Sequence, residues 1–244
     1  MQRLGRVEYG VALELQKKTE RLVQAREHSD TLLLLEHPHV ITIGRRGDGA
    51  GILLPQPLLD ARGVNVFETN RGGKITYHGL GQVVGYPIVN LSPDREDVHR
   101  YVRDLEEVLI RTVYDFGVEA FRISGLTGVH TTQGKVAAIG VHLARWVTTH
   151  GFALNVNTDL SYFDLIVACE GETVTSLKRL LGRQLKLADV EDRIIKHFAD
   201  VFEMKIPDAE LDNKERSGSQ QNQERNAAWL AYRKSFRTRS SKRQ

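Results

Sequence analysis

Between Arg71 and Pro87 the chain reads Arg-Gly-Gly-Lys-Ile-Thr-Tyr-His-Gly-Leu-Gly-Gln-Val-Val-Gly-Tyr-Pro, with five glycines, two cations and a histidine set among strand-like residues. Glycine inside strand patterning loses conformational entropy and offers no side chain to pack. Its repeated use marks a backbone that another group must approach closely. Generic folding does not account for this segment, so it constrains function as well as fold.

The flanking patterns supply a scaffold. Ala12, Leu15, Gln16, Thr19, Leu22 and Val23 recur at helical spacing and predict an amphipathic helix over 9–27. Thr31 to Glu36 and Val40 to Arg45 read as two strands divided by a turn at His37-Pro38-His39, and Val64 to Thr69, Lys74 to His78 and Gln82 to Leu91 continue the strand pattern. The glycine-rich block is therefore expected within a sheet. Val98, Tyr101, Val102, Leu105, Val108, Leu109, Thr112, Val113 and Phe116 predict a long helix stopped by Gly117. Val118 to Ile123, Gly128 to Thr132, Lys135 to Ala144 and Thr148 to Asn157 read as β-rich, with Gly134 and Gly151 as turn or bulge points. A final helix follows Asp189, read as its N-cap, with Val190, Ile194, Ile195, Phe198, Val201 and Phe202 on its apolar face. Clustered strands broken by a few helices indicate an α+β fold, with mixed sheets and packed helices.

Among 244 residues, 41% are hydrophobic and 27% charged, which suits a globular domain. One cysteine excludes an internal disulfide framework, and scattered histidines give no zinc-ligand spacing, so no metal is expected. No apolar run approaches the ~20 residues of a bilayer span, and the start of the chain lacks a signal-peptide core. A cytoplasmic protein without a membrane role is the expectation. The pI of about 9.0 suggests nucleic acid, yet nine of the 34 Lys+Arg and only three of the 31 Asp+Glu lie in residues 211–244. Residues 1–210 hold 25 against 28 and are slightly acidic, which argues against a nucleic-acid partner. The reading is a catalytic domain over 1–208 and a polar, basic tail over 209–244 whose composition favours disorder.

The block from Arg71 to Pro87 resembles the signature of the lipoyl(octanoyl) transferase family: R-G-G, two variable residues, T, an aromatic, H-G-P-G-Q, then Y-P, with Leu80 where proline is usual. The resemblance extends from about residue 8 to residue 205. It includes Leu34-Leu35-Glu36-His37-Pro38, Thr42-Ile43-Gly44-Arg45, Gly134-Lys135-Val136-Ala137-Ala138-Ile139-Gly140, His150-Gly151-Phe152-Ala153-Leu154-Asn155-Val156-Asn157 and Val174-Thr175-Ser176-Leu177. It implies a fold like the catalytic domain of lipoate/biotin protein ligases. The implied reaction moves an octanoyl or lipoyl group from acyl carrier protein to a lysine on the lipoyl domains of 2-oxoacid dehydrogenases and on the glycine cleavage H protein. It needs no cofactor.

By the same resemblance Cys169 accepts the acyl group and Lys135 is its partner, although Glu170 follows the cysteine where glycine is usual. Read without the family, a lone cysteine after an apolar run is a small buried hydrophobe. Thiolate attack suits a thioester donor because the acyl group passes between sulfurs of similar leaving ability. Only a few per cent of an ordinary thiol, with a pKa of ~8.5, is ionised near neutrality, so the chemistry requires a neighbouring cation. His78 could orient or deprotonate the accepting amine; equally, it could hydrogen-bond the glycine turn.

Three segments are implied to hold the substrate: Arg71, Gly72, Gly73, Lys74, Ile75, Thr76, Tyr77 and His78; Ala138, Ile139 and Gly140; and Gly151, Phe152 and Ala153. Small residues let an extended C8 chain lie against backbone. Arg45, Arg46, Lys74, Lys178 and Arg179 are candidate contacts for an acidic carrier protein or simply solvated charges. An ATP-dependent lipoate- or biotin-type ligase would dispense with Cys169, a cysteine hydrolase would pair it with His78 or His150, and a non-catalytic binding module would form no acyl-enzyme.

Overall fold

Four consecutive leucines make Thr31–Glu36 (β2) apolar on both faces, and such a strand is stable only when both faces are covered. The computed structural model describes residues 1–167 and 172–204. In it β2 lies between Gln2–Arg6 (β1) and Gln82–Ile88 (β6) in a six-stranded sheet. Val147–Asn155 (β9), Gly134–Ala144 (β8) and Val129–Thr131 (β7) complete the order β1-β2-β6-β9-β8-β7. Only the β1–β2 pairing is parallel. Tyr9–Gln24 (α1) covers one face, packing Ala12 and Val23 on Leu33, Leu35, Val84, Tyr86 and Ala153. Residues of the alternate parity, Val83, Ala137 and Leu154, are equally buried. Val98–Tyr114 (α3) lies against β7, β8 and β9 and packs on Leu187–Phe202 (α5).

A second sheet of three strands runs Asn65–Glu68 (β4), Val40–Ile43 (β3), Ile75–His78 (β5). Its core is Ile41, Ile43, Leu59, Val64, Ile75, Tyr77, Leu165 and Ile166. The chain leaves the larger sheet after β2, builds the smaller one, and returns through the turn between β5 and β6. The glycine-rich block thus holds the last strand of the smaller sheet, the crossing turn and the strand that re-enters the larger sheet, so it spans two sheets where one was expected. Alternation alone carries no information about which sheet a strand joins.

Other differences from the sequence reading have local causes. Val118 to Ile123 is loop apart from a single bridge, Phe121 to His130, because β7 is only three residues long and its free edge offers room for one pair. β1 is mostly exposed and polar, so it lacks the patterning of a strand. Gln56–Asp60 (α2) and Leu177–Leu181 (α4) are too short to show a helical period. Lys186, not Asp189, stands at the N-cap position of α5, with no side-chain cap bond, and Asp189 sits in the first turn, where a carboxylate still favours the helix dipole. Gly151 lies inside β9 and makes no turn; the positive φ there belongs to His150, at 56°.

Residues Met1–Glu203 form one compact unit, and the expected tail from 209 lies outside the described residues. Among the described residues no helix is long and apolar enough to cross a membrane.

One buried charge ties α3 to the sheet edge. Glu106 is fully buried and accepts from Arg103 Nη1 at 2.8 Å, Arg122 Nε at 3.0 Å and the Gly128 N–H at 3.1 Å. It anchors both ends of the loop from Arg122 to Gly128. Glu106→Gln keeps the shape but leaves one donor unpaired and removes the charge. It is expected to cost about 1.5–3 kcal/mol, measurable as a lower urea midpoint with an unchanged m-value.

Candidate active site

Cross-strand pairs decide where the hollow lies. Ala138 faces Ala153 and Gly140 faces Gly151 across β8 and β9, and directly opposed residues share one face of a sheet. Four small residues in two adjacent pairs leave a trough on the α1 side. The loop from Arg71 to Lys74 passes over it, with the Gly72 N–H donating to Val141 O at 2.8 Å. A Cβ on Gly140 would stand 2.8 Å from Gly72 O, so only glycine admits this approach. The result is a cavity of about 240 Å³, to which Tyr9 of α1 and Tyr86 of β6 add aromatic walls.

Arg71 fixes the loop. Its buried guanidinium donates to Thr42 O (2.6 Å) and Thr42 Oγ1 (2.9 Å) on β3, and to Gly72 O (2.9 Å) and Lys74 O (3.1 Å) in the loop itself. Five fixed donors on a planar group suit such a cluster of acceptors.

Beside it stands a set of neutral rings. Gln82 Nε2 donates to Tyr77 O (3.2 Å) and Asn155 Oδ1 (2.9 Å), so its Oε1 must accept, and His78 Nδ1–H donates to it at 2.8 Å. His78 Nε2 is therefore a lone-pair acceptor. By the same logic His37 Nδ1–H donates to Val7 O and Tyr86 O–H donates to His37 Nε2, both at 2.7 Å. His150 Nε2–H donates to Asn70 Oδ1 at 2.8 Å. Burial depresses all three: His37 to about 4, His78 to about 3 with the nearby His37 adding, and His150 to about 3 with the Arg71 charge adding. Burial likewise pushes the Tyr9 hydroxyl up to about 12. At neutral pH the rings carry no charge, and the positive charge near them is that of Arg71.

At the edge of the cavity lies an ion pair. Lys135 Nζ, on a side chain 8% exposed, donates to Glu172 Oε2 at 2.5 Å, and His130 Nε2–H donates to Glu172 Oε1 at 3.0 Å. Backbone bonds fix the geometry: Lys135 N–H donates to Thr173 O at 2.8 Å and Thr175 N–H to Lys135 O at 2.9 Å. Residues 172–175 are thereby laid along β8. Burial and the Lys135 charge both lower the pKa of His130.

Of the residues singled out in the sequence, Arg71, Gly73, Lys74, Ile75, Thr76, His78, Lys135, Ala138, Ile139, Gly140, Gly151, Phe152 and Ala153 line this one cavity. Two do not. Gly72 spends its backbone on the contact with β8, and Tyr77 is fully buried in the core of the smaller sheet, because the two-residue period of β5 separates it from Thr76 and His78. Cys169 lies outside the described residues. Of the candidate carrier contacts, Arg46 and Lys74 reach the cavity rim, whereas Arg45, Lys178 and Arg179 are exposed away from it. Sequence reasoning missed Tyr9, Tyr86 and Glu172. Tyr9 reads as one more apolar helix residue, and Glu172 as one of two acids beside a glycine.

A two-sheet α+β domain whose small-residue trough is walled by neutral rings, with Arg46, Lys74 and the Lys135–Glu172 pair at its rim, has the layout of a catalytic domain. Residues 8–199 match the lipoyl protein ligase A/B catalytic domain family. The chain is 49% identical over 212 residues to an octanoyltransferase of Solibacter usitatus, covering 86% of this chain and 96% of that protein. Among solved structures it resembles a lipoate-protein ligase A bound with ATP (TM-score 0.67, 14% identity, 85% of this chain and 88% of that one). It also resembles a biotin protein ligase of Aquifex aeolicus (TM-score 0.51, 14% identity, 83% and 69%). The chain belongs to the lipoyl protein ligase A/B catalytic domain family and, within it, to the octanoyltransferases. The α+β fold expected from the sequence is the fold observed.

The depressed histidines make stability depend on pH with a definite sign. An unfolded histidine binds a proton below about 6.5, whereas folded His37, His78 and His150 do so only near 4, 3 and 3. Stability from these groups is complete above pH 6.5 and is lost as pH falls toward 3–4, by up to about 1.4 kcal/mol per pH unit for each. Melting curves taken from pH 7 to pH 5 should show a falling Tm; a constant Tm across that range would contradict the assignment.

Proposed function

We propose that the chain transfers an octanoyl or lipoyl group from acyl carrier protein to a specific lysine of lipoate-dependent proteins, through an acyl thioester on Cys169. The acceptors are the lipoyl domains of 2-oxoacid dehydrogenases and the glycine cleavage H protein, and the setting is the cytoplasm. One observation carries the reading most directly. Lys135 presents its ammonium at the edge of the small-residue trough, and its backbone is bonded to the segment that begins three residues after Cys169. The 49% identity to an octanoyltransferase supports transfer over ligation, since the 14% likeness to an ATP-bound ligase speaks for fold alone.

In the first half-reaction the Cys169 thiolate attacks the donor thioester carbonyl and a new C–S bond forms. The donor's C–S bond breaks, and the leaving thiolate takes a proton from the Lys135 ammonium. In the second, the acceptor amine attacks the acyl-cysteine, its proton passes to Lys135, and the Cys169 thiolate leaves. Each half-reaction restores what the other consumed. His78, neutral and with Nε2 as an acceptor, serves in this scheme to orient the amine; a base whose pKa lies near 3 holds a proton poorly at neutral pH.

The trough selects the chain by shape. Burying eight methylene-sized groups at about 0.8 kcal/mol each offers at most about 6 kcal/mol, and bulkier residues at Ala138, Gly140, Gly151 or Ala153 would take the same space. The polar rim formed by Arg46 and Lys74 supports docking of an acidic carrier protein.

The test is incubation with octanoyl-acyl carrier protein followed by mass spectrometry of the intact protein and its peptides. An octanoyl adduct on Cys169 is expected, and its absence under turnover conditions would sink the mechanism. In Lys135→Ala the adduct should form slowly at pH 7 and partly recover toward pH 9, where an unassisted thiol ionises.

A further inference from the structure

Glu172 has no part in the scheme above, yet it lies deeper in the machinery than an incidental surface acid. It lines the acyl cavity, stands three residues from Cys169 in sequence, and has both carboxylate oxygens engaged, one by Lys135 Nζ at 2.5 Å and one by His130 Nε2–H at 3.0 Å. The space is prepared for this pair. Gly128 runs at φ 125°, and a Cβ there would stand 2.6 Å from Ala137 O and 3.1 Å from Lys135 Cε, so the lysine stem passes over bare backbone. Behind His130, Glu106 holds the Gly128 N–H and is itself paired with Arg103 and Arg122. The charged and titratable groups facing Glu172 are thus Lys135 from β8 and His130 from β7, with Glu106 of α3 backing the histidine.

A buried ion pair adds little net stability relative to an apolar pair of the same shape, because desolvation offsets the attraction. Its value lies in geometry and charge. The Glu172 carboxylate attracts a positive charge on Lys135 Nζ, with which it shares a hydrogen bond. The two half-reactions must therefore feel it in opposite senses: proton donation by Lys135 during acylation is opposed, and proton uptake by Lys135 during attack of the amine is assisted. An anion only three positions from Cys169 in the chain also opposes the thiolate.

We propose that Glu172, braced by His130, is a positioning residue of the transfer reaction that aims Lys135 Nζ into the cavity and biases it toward accepting the proton of the incoming amine. The inference rests on the Cys169–Lys135 reading and deepens it: Glu172 trades speed of enzyme acylation for speed of acyl delivery. Delivery is the half in which a stalled intermediate would be lost to water.

Single-turnover kinetics on the full chain separate the halves. Octanoyl-acyl carrier protein serves as donor, an apo lipoyl domain as acceptor, and the acyl-Cys169 species is followed by mass spectrometry. In Glu172→Gln, acylation at pH 6 should be as fast as in the wild type or faster, with its acid limb moved about one pH unit lower. Discharge to the lipoyl domain should slow about tenfold or more. Glu172→Asp, which keeps the charge but cannot span both Lys135 and His130, should slow discharge while leaving the acid limb in place; it carries the test if Glu172→Gln fails to fold. Equal slowing of both halves with an unmoved pH limb, or no change in discharge in either variant, would overturn the proposal while leaving the acyl-cysteine reading intact. A wild-type protein that forms no adduct on Cys169 would overturn that reading and this one together.

Discussion

A guanidinium buried among oxygen acceptors is the constraint on which the site depends. Arg71 reaches Thr42 in the smaller sheet and the carbonyls of its own loop, and that loop in turn bonds Val141 in the larger sheet. The two sheets are thereby held a fixed distance apart over the trough. Losing the clamp would free the roof of the cavity even if both sheets survived. Its charge has a second consequence. It helps hold His78 and His150 neutral, so the wall of the cavity offers lone pairs and hydroxyls, with no titrating cations, near neutral pH.

The floor follows a different rule. Two opposed pairs of Ala and Gly on β8 and β9 remove side-chain volume where a strand would otherwise fill its face, and packing elsewhere in the sheet is dense enough to keep the hollow from collapsing. The cavity is in this sense a packing defect, bounded by tyrosines that wall it without adding charge. At its edge the density of charge rises abruptly, with Lys135, Glu172 and His130 in one network and Glu106 anchoring the adjoining loop. An apolar trough ending at a compact ionic cluster suits chemistry at the head of a chain whose tail needs only space.

Much of this was readable residue by residue. The long helix α3, the strands β2, β8 and β9, and the clustering of Arg71, Lys135, Ala138 and Gly151 follow from periodicity and from motif resemblance. What escaped did so for physical reasons. β1 has polar faces and owes its place to pairing with β2, α2 and α4 are shorter than two turns, and the loop from Val118 to Ile123 has strand-like residues but meets the free edge of the short strand β7 only at Phe121. Tyr77 sits in the middle of the signature yet faces the other core, a fact set by strand parity.

The sequence by itself determined the class of fold, the family and the residue types gathered around the cavity, because those depend on local periodicity and on motifs that need close backbone approach. Tertiary structure alone decided that the glycine-rich block spans two sheets, that its histidine is a buried neutral acceptor, and that Glu172 meets Lys135. Each of these depends on which distant segments are brought into register, and a contact between residues 37 positions apart leaves no periodic trace in the chain.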